Sequence, residues 1–303
     1  RRSINSVAYG QRFAAASIDP TVSGGTTPLP DNFLRPYKGY GDINYIEFSS
    51  NSNYHALQVQ LNRRITTSLS FGMAYTWSKA MDLVDGNGNN VNPFIDPRVR
   101  NYGKAGFDRT HNMTINYVYK LPGLGKRLGD NALTRQVFDG WELSGITSFI
   151  SGSPLGIGYS TVQGTDLVGG SGGGIDSRVV LTGNPVLPKS AQAFARFFNT
   201  SVVQAPTKAD FGRGNAPKDP IRGPGINNWD VSVFKNFAFG PEGRIALQYR
   251  LEMYNAFNHT QFSSVDTTAR FDLNTGAQVN ALFGSFNGAR DARRIVMGLK
   301  LRF

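Results

Sequence analysis

The first chemistry that the side chains suggest is cation binding. In DGNGNN at 85–90, Asp85, Asn87 and Asn89 stand at alternate positions and Asp96 at the twelfth, the order in which a calcium loop offers its oxygens. The sixth position is Asn90 rather than the Gly that the sharp turn needs, and the twelfth is not Glu, so the stretch reads better as a polar loop. Gly169, Gly170, Gly172, Gly173 and Gly174 offer backbone amides of the kind that cradle phosphate. They follow no strand and open no helix, and read as a flexible loop. Hydrolysis would need a nucleophile beside an oriented base. His111 with Asp108, or Ser263 with His259 and Asp266, supply the residue types, but no nucleophile elbow marks either set, and catalysis is not expected. RGPGINNWD at 222–230 reads as the start of a strand rather than as a binding motif.

Composition removes further options. There is no Cys, hence no disulfide framework, thiol nucleophile or thiolate metal site, and the three His, at 55, 111 and 259, are far apart in sequence. No cofactor is implied. The net charge is +11, yet no basic cluster is dense enough for a nucleic-acid stripe, so nucleic acid is not an expected partner. No run of about 18 apolar residues occurs, which leaves out a transmembrane helix but not a barrel, whose strands alternate. The chain begins at Arg1 without Met or a signal-like segment and reads as a mature product or a fragment. With 35 Gly, 15 Pro, 17% charged residues and many short segments of period two, the class is all-β.

The elements that would position any site are these alternating segments. RIVMGLKLRF at 294–303 puts Ile295, Met297, Leu299, Leu301 and Phe303 on one face. NYHALQVQLNRR opposes Leu57, Val59 and Leu61 to Gln58, Gln60 and Asn62. LSFGMAYTWSKA sets five large apolar side chains from Leu69 to Trp77 against Ser70, Gly72, Ala74, Thr76 and Ser78. FDRTHNMTINYVYKL, GWELSGITSFISG, NWDVSVFKNFAF and RIALQYRLEMYNAF continue the pattern, the second less cleanly because Ile146 and Ile150 fall on the wrong parity. A large apolar face opposed to a small, polar one is what lipid on one side and a lumen on the other demand. Residues 1–52 read as loop with a short strand around Ile43–Phe48. Residues 153–227 read as one very long loop in which AQAFARFF forms a short helix, and Asn258–Ala292 as another long connection.

Short and long connections alternate: short after Arg64, long after Ala80, intermediate after Leu121, long after Gly152, short through GPEG after Phe239, long after Phe257. Outer-membrane barrels place short turns on the periplasmic side and long loops outside. Trp77 and Trp229 then fall at outer strand ends and Trp141 at an inner one, as interfacial girdles require. The expected fold is an antiparallel transmembrane β-barrel. This chain holds the C-terminal portion of a larger barrel, with seven or eight strands: residues 1–52 as extracellular loop region, 53–303 as barrel segment. Its last strand should not close a ring with residues 1–52.

The motifs NSNYHALQVQLNRR, LSFGMAYTWSKAMD, FDRTHNMTINYVYKLP, GWELSGITSFISGSPL, IRGPGINNWDVSVFKNF and RLEMYNAFNHTQF, in this order, resemble the C-terminal barrel region of Oar-like TonB-dependent outer-membrane receptors. The resemblance covers the chain from about Leu29 onward. It implies location in the bacterial outer membrane, among membrane lipids and lipopolysaccharide. It also implies TonB-energised transport of a bulky, unidentified substrate through TonB, ExbB and ExbD, with a plug domain of the same parent chain that this segment does not contain. Gly298, Leu301 and Phe303 resemble the C-terminal signal read by the outer-membrane assembly machinery, although Val296 stands where the family prefers a polar residue. Parity nominates Gln58, Gln60, Asn112, Asn116, Gln248, Arg250 and Glu252 as lumen-facing. A surface interaction protein, a passive pore and a soluble β-sandwich are the competing readings; the last would bury its apolar faces between sheets.

Overall fold

The computed structural model describes residues 1–86, 89–125, 127–129, 131–239 and 245–303. Seven long strands form one antiparallel meander: β1 (Asn53–Arg64), β2 (Leu69–Asp82), β3 (His111–Lys120), β4 (Trp141–Ile150), β5 (Ile226–Phe239), β6 (Ile245–Tyr254) and β7 (Arg294–Arg302). Each pairs with its neighbours in the chain, and the two-residue strand Gly103–Lys104 extends the sheet beside Met81–Asp82. The strands are 9 to 14 residues long, and about 9–11 tilted residues cross a bilayer. β3 starts later than FDRTHN suggests, because Asp108 leaves the ladder and accepts the Ala80 amide at 2.6 Å. The expected GPEG turn at 240–243 lies outside the described residues.

Register turns seven separate alternations into one two-sided sheet. Leu57 lies opposite Trp77, Met73 opposite Ile115, Tyr119 opposite Leu143, Leu143 opposite Val233, Val233 opposite Leu251 and Leu251 opposite Met297. Residues directly opposite share a face, and a one-residue slip at any ladder would have sent the next strand's apolar set to the other side. Gly145 serves this face as well: the Tyr117 ring lies over it, with the hydroxyl 2.5 Å from where a Cβ would stand. Lys235 has the apolar parity, yet it is buried at the short-turn end. Its ammonium donates to the Asp139 carbonyl and lies 5.3 Å from the Trp141 ring and 5.0 Å from that of Phe237. It behaves as a snorkelling side chain.

Among the described residues no second sheet covers the apolar face. Leu299 is 70% exposed and Met297 68%, with Leu57, Leu61, Ile295 and Leu301 also open. Withdrawing one such side chain from water is worth about 1.5–3 kcal/mol. A face of them in water would therefore outweigh the whole net stability of a domain, about 5–15 kcal/mol. The soluble-sandwich reading fails here, since that fold buries these residues between sheets. The sheet is also open: neither the outer edge of β1 nor that of β7 has a strand partner among the described residues, and β7 does not pair with residues 1–52.

The buried core sits in the long connections instead. Ile157, Val179, Phe197, Phe198, Ile221, Val265, Phe271 and Phe283 belong to one cluster at the long-loop end of the sheet. The stretch 153–227 is thus not a structureless loop. Pro154–Leu155 pairs with Ile221–Arg222, Gly158–Thr161 runs parallel to Thr268–Phe271, and Val180–Leu181 pairs with Val203–Gln204. The 258–292 connection contributes Phe262–Val265 and Phe286–Ala289, which pair with each other. AQAFARFF is not a helix. A 3-10 turn at Lys189–Ala191 gives way to a tight turn closed by Ala193 and Arg196, because neighbouring Phe197 and Phe198 are both drawn into the core. Phe197 meets Phe286 at 5.1 Å between ring centroids and Phe198 meets Phe283 edge-on at 5.2 Å. A helix would have turned one of two adjacent rings away.

The Gly tract is a packed crossing rather than a flexible loop. Val7 and Ser171 form a bridge, the Gly10 amide donates to the Val168 carbonyl, and Gly174, at φ +87°, lies so near the Val91 carbonyl that a Cβ would collide with it. Glycine is used here for close backbone approach and for positive φ. In residues 1–52 the expected strand near Ile43–Phe48 shrinks to Asn44–Tyr45, paired with Arg2–Ser3.

Candidate functional site

All seven side chains nominated by parity stand on the polar face. Gln58 lies opposite Thr76, Gln60 opposite Ala74, Asn112 opposite Thr76 and Ile150, and Asn116 opposite Gly72 and Ile146. On the other half, Gln248 lies opposite Asn236 and Lys300, Arg250 opposite Phe234 and Gly298, and Glu252 opposite Ser232 and Val296. The two halves are ordered differently. Gln248 donates to Asn236 at 2.9 Å and accepts from Arg250 Nε at 2.7 Å, while the guanidinium lies 5.7 Å from the Phe234 ring. The β1–β3 half is lined by amides and small residues.

At the long-loop end of the polar face, β4 to β7 and the loop 255–292 enclose a cleft of about 620 Å³. Its wall includes Ser148, Asn228, Asp230, Tyr254 and Arg294 from the strands, and Gln261 and Arg290 from the loop. The buried Asn255 fixes it. At φ 50° this residue turns β6 into the loop, its amide donates to Asp230 at 2.9 Å, and its side chain donates to the His259 carbonyl at 3.0 Å. Asn tolerates the left-handed region better than most residues. Gln261 reaches back to Asn228 at 3.0 Å, and the Arg294 guanidinium stacks 4.6 Å from the Tyr254 ring centroid. Continued to the strand ends, the parity rule would have found Asp230, Tyr254 and Arg294. Nothing in the local pattern marks Gln261 or Arg290, which arrive by the return of a loop.

Charge pairs tie the loop layer together. Arg100 Nε lies 3.0 Å from Asp176 Oδ1, Asn92 donates to the same oxygen at 2.9 Å, and Arg178 Nε lies 2.9 Å from Oδ2. Burial would raise the Asp176 carboxyl, but the hydrogen bond and charge of Arg100, with Asn92 and Arg178, outweigh it and hold it below its ordinary value. Lys218 lies 2.9 Å from Asp82 and 3.1 Å from Asp85. Burial acts against its charge, but the two carboxylates prevail and raise it. Beside it Asp219 is raised, chiefly by burial, and its Oδ2 is buried without a hydrogen-bond partner.

The other candidates are not assembled. Asp85 accepts from the Gly106 amide at 2.7 Å and pairs with Lys218, whereas Asp96 caps the helix Pro97–Arg100. Asn89 keeps backbone contacts with Gly86 and Arg1, and Asn87 lies outside the described residues. Among the described residues no three His, Asp or Glu side chains gather as metal ligands. Asp108 is bonded to Ala80 and Arg222, while His111 Nδ1 faces the Tyr75 hydroxyl at 2.9 Å. Asp266 is bonded to Thr268 and Asn280, and the His259 ring stacks on Phe257, so neither is joined to Ser263. Of the final motif, Gly298 faces Arg250 on the polar side, Leu301 is on the apolar face, and Phe303, beyond the end of β7, is 99% exposed.

No curated protein and no solved structure matches the chain. The profile of the outer membrane beta barrel domain matches residues 2–296, a span that includes β1 to β6, the start of β7 and the loop layer. The chain therefore belongs to the outer membrane β-barrel domain family, and its place is the bacterial outer membrane.

Proposed function

We propose that this chain is the C-terminal barrel region of a TonB-dependent, Oar-like receptor that carries a bulky substrate across the outer membrane. The observation that carries the reading is the sheet of seven long strands whose two outer edges have no strand partner among the described residues, beneath a thick, folded loop layer. A closed barrel has no free edges, and free edges in a bilayer require further strands. The order of the sequence motifs supports the receptor class. In this reading the apolar face meets lipid and lipopolysaccharide, and the seven polar-face residues line the lumen against water or a plug domain of the parent chain. Gly298, Leu301 and Phe303 serve assembly. TonB, with ExbB and ExbD, supplies the energy.

The test uses the full-length parent protein. It should bind the periplasmic domain of TonB in a pull-down, and in planar bilayers it should be closed until its plug is removed. Steady conductance without TonB binding would instead support a passive pore. A surface interaction role draws support from Phe33, Tyr37, Tyr40, Tyr45 and Phe48, all exposed on residues 1–52. Loss of adhesion to a partner without loss of uptake, on deleting 33–48, would favour it.

A further inference from the structure

The polar face is electrostatically lopsided. On β6 and β7 it carries Arg250, Arg294, Lys300 and Arg302 against Glu252 alone, four cations to one carboxylate. On β1 to β5 it carries Arg64 and Lys120 against Asp82, Glu142 and Asp230, two to three. The cations of β6 and β7 are strung along the strand direction. Arg294 stands opposite Tyr254 at the long-loop end, Arg250 opposite Gly298 about 14 Å further on, and Lys300 and Arg302 follow at steps of about 7 Å. The two shorter steps are near the screening length of physiological salt, about 8 Å, so the fields of Arg250, Lys300 and Arg302 overlap, while Arg294 stands nearly two such lengths from Arg250 and acts at the mouth.

The cations are also available. Arg250 commits its Nε to Gln248 and leaves both terminal nitrogens without a partner among the described residues, and Gly298 opposite it leaves open space where a side chain would stand. Among the described residues Arg294 is held only by the Tyr254 ring, and neither Lys300 nor Arg302 has a carboxylate partner. At the mouth Arg290 adds a second guanidinium to the cleft. Of the two carboxylates there, Asp230 is bonded to the Asn255 amide and Asp291 is exposed. Guanidinium groups recognise carboxylates and phosphates through paired N–H donors, and cation-lined passages select anions.

We infer that the β6–β7 side of this face is a binding track for a ligand bearing several carboxylate or phosphate groups, captured first by Arg290 and Arg294 over Tyr254 and passed along Arg250 to Lys300 and Arg302. The inference rests on the reading that the polar face lines a lumen, and deepens it by naming the ligand's charge.

The full-length protein in detergent is titrated calorimetrically, at low and at physiological salt, with triglutamate, inorganic tripolyphosphate and triglutamine. The two anions should bind, more weakly as salt rises, and triglutamine should not. Which anion binds tighter separates a carboxylate from a phosphate ligand. R290Q/R294Q should weaken anion binding about tenfold or more, since a hydrogen bond to a charged group is worth about 1.5–3 kcal/mol. R290K/R294K, which keeps the charge, should fall between the two, and K300Q/R302Q should lower the affinity without abolishing capture. Equal binding of triglutamate and triglutamine, no anion binding, or an unaffected R290Q/R294Q would overturn the inference. Because equilibrium binding needs neither TonB nor uptake, a failure of the transport reading would leave this result standing, and the reverse also holds.

Discussion

Arg100 Nε meets the Asp176 carboxylate at 3.0 and 3.1 Å, and so joins the 83–110 connection to the 153–227 connection across 76 residues of sequence. Arg100 also donates to the Arg213 carbonyl at 2.6 Å, while Tyr9 donates to the Asp176 carbonyl at 2.8 Å, so residues 1–52 are bound into the same knot. R100A should loosen the loop layer by about 2–3 kcal/mol. That is below the ~3–5 kcal/mol expected for a fully buried pair, because about a third of the Asp176 side chain stays in water. Limited proteolysis should then cut near 83–110 and 153–227 while the strands stay protected. An unchanged digest would mean that the aromatic core holds the loops alone.

The same knot should respond to acid, and its neighbour should respond the other way. Asp176 is held below its ordinary value, so its stabilisation is present above the unfolded value of about 3.9 and is lost as pH falls through the depressed folded one. Asp219 is raised, so the cost of its charge is felt at neutral pH and relieved as pH falls through its folded value. D176N should therefore weaken protease resistance of the loop layer at pH 7 and flatten its loss below about pH 4. D219N should be at least as resistant as the parent at pH 7. Identical pH profiles for all three proteins would contradict both assignments.

Phe198 and Phe271 are almost completely buried, at 1% and 2% exposure, and both lie in the loop cluster. F198A or F271A should destabilise that layer by about 3–5 kcal/mol, the usual range for a buried Phe. Hydrogen exchange should show the effect at 155–161, 197–203 and 265–271, with little change in β1 to β7. Equal loss of protection in the strands would show that the loop layer and the sheet unfold as one unit.

The sheet was legible because its physics is local. Alternation of Leu69, Phe71, Met73, Tyr75 and Trp77 with small residues needs only the two-residue period, and register then had to bring like faces together. Even GWELSGITSFISG kept its place, because Thr147 and Gly145 carry the apolar parity while Ile146 is left 52% exposed on the polar side. The loop layer was not legible, since its order comes from contacts between distant residues. Phe198 finds Phe283, Gly174 finds Val91, and Arg100 finds Asp176 only after the strands have set the loops side by side. AQAFARFF satisfies helix propensity and still goes another way, a case of tertiary packing overriding local preference. For the cleft, Tyr254 and Arg294 were not nominated although parity carried to the strand ends reaches them, whereas Arg290 and Gln261 depended on how the 255–292 loop returns.

The assignment of the two faces can be tested at a single pair of adjacent residues. Val233 and Ser232 lie mid-strand in β5, Val233 between Leu143 and Leu251 and Ser232 between Ser144 and Glu252. A lysine on the lipid face near the bilayer midplane costs about 2–4 kcal/mol, and one on the lumen side little. V233K should lower the urea midpoint of folding into vesicles by that amount. S232K should leave it nearly unchanged, because the new ammonium would face the Glu252 carboxylate across the ladder. Lys235, two residues on, does not contradict this expectation. It sits at the short-turn end, where its chain reaches the Asp139 carbonyl, and Val233 has no such exit. If S232K proved the costlier change, the apolar and polar faces would have been assigned to the wrong media, and the lumen, the cleft and the cationic track would all fall with them.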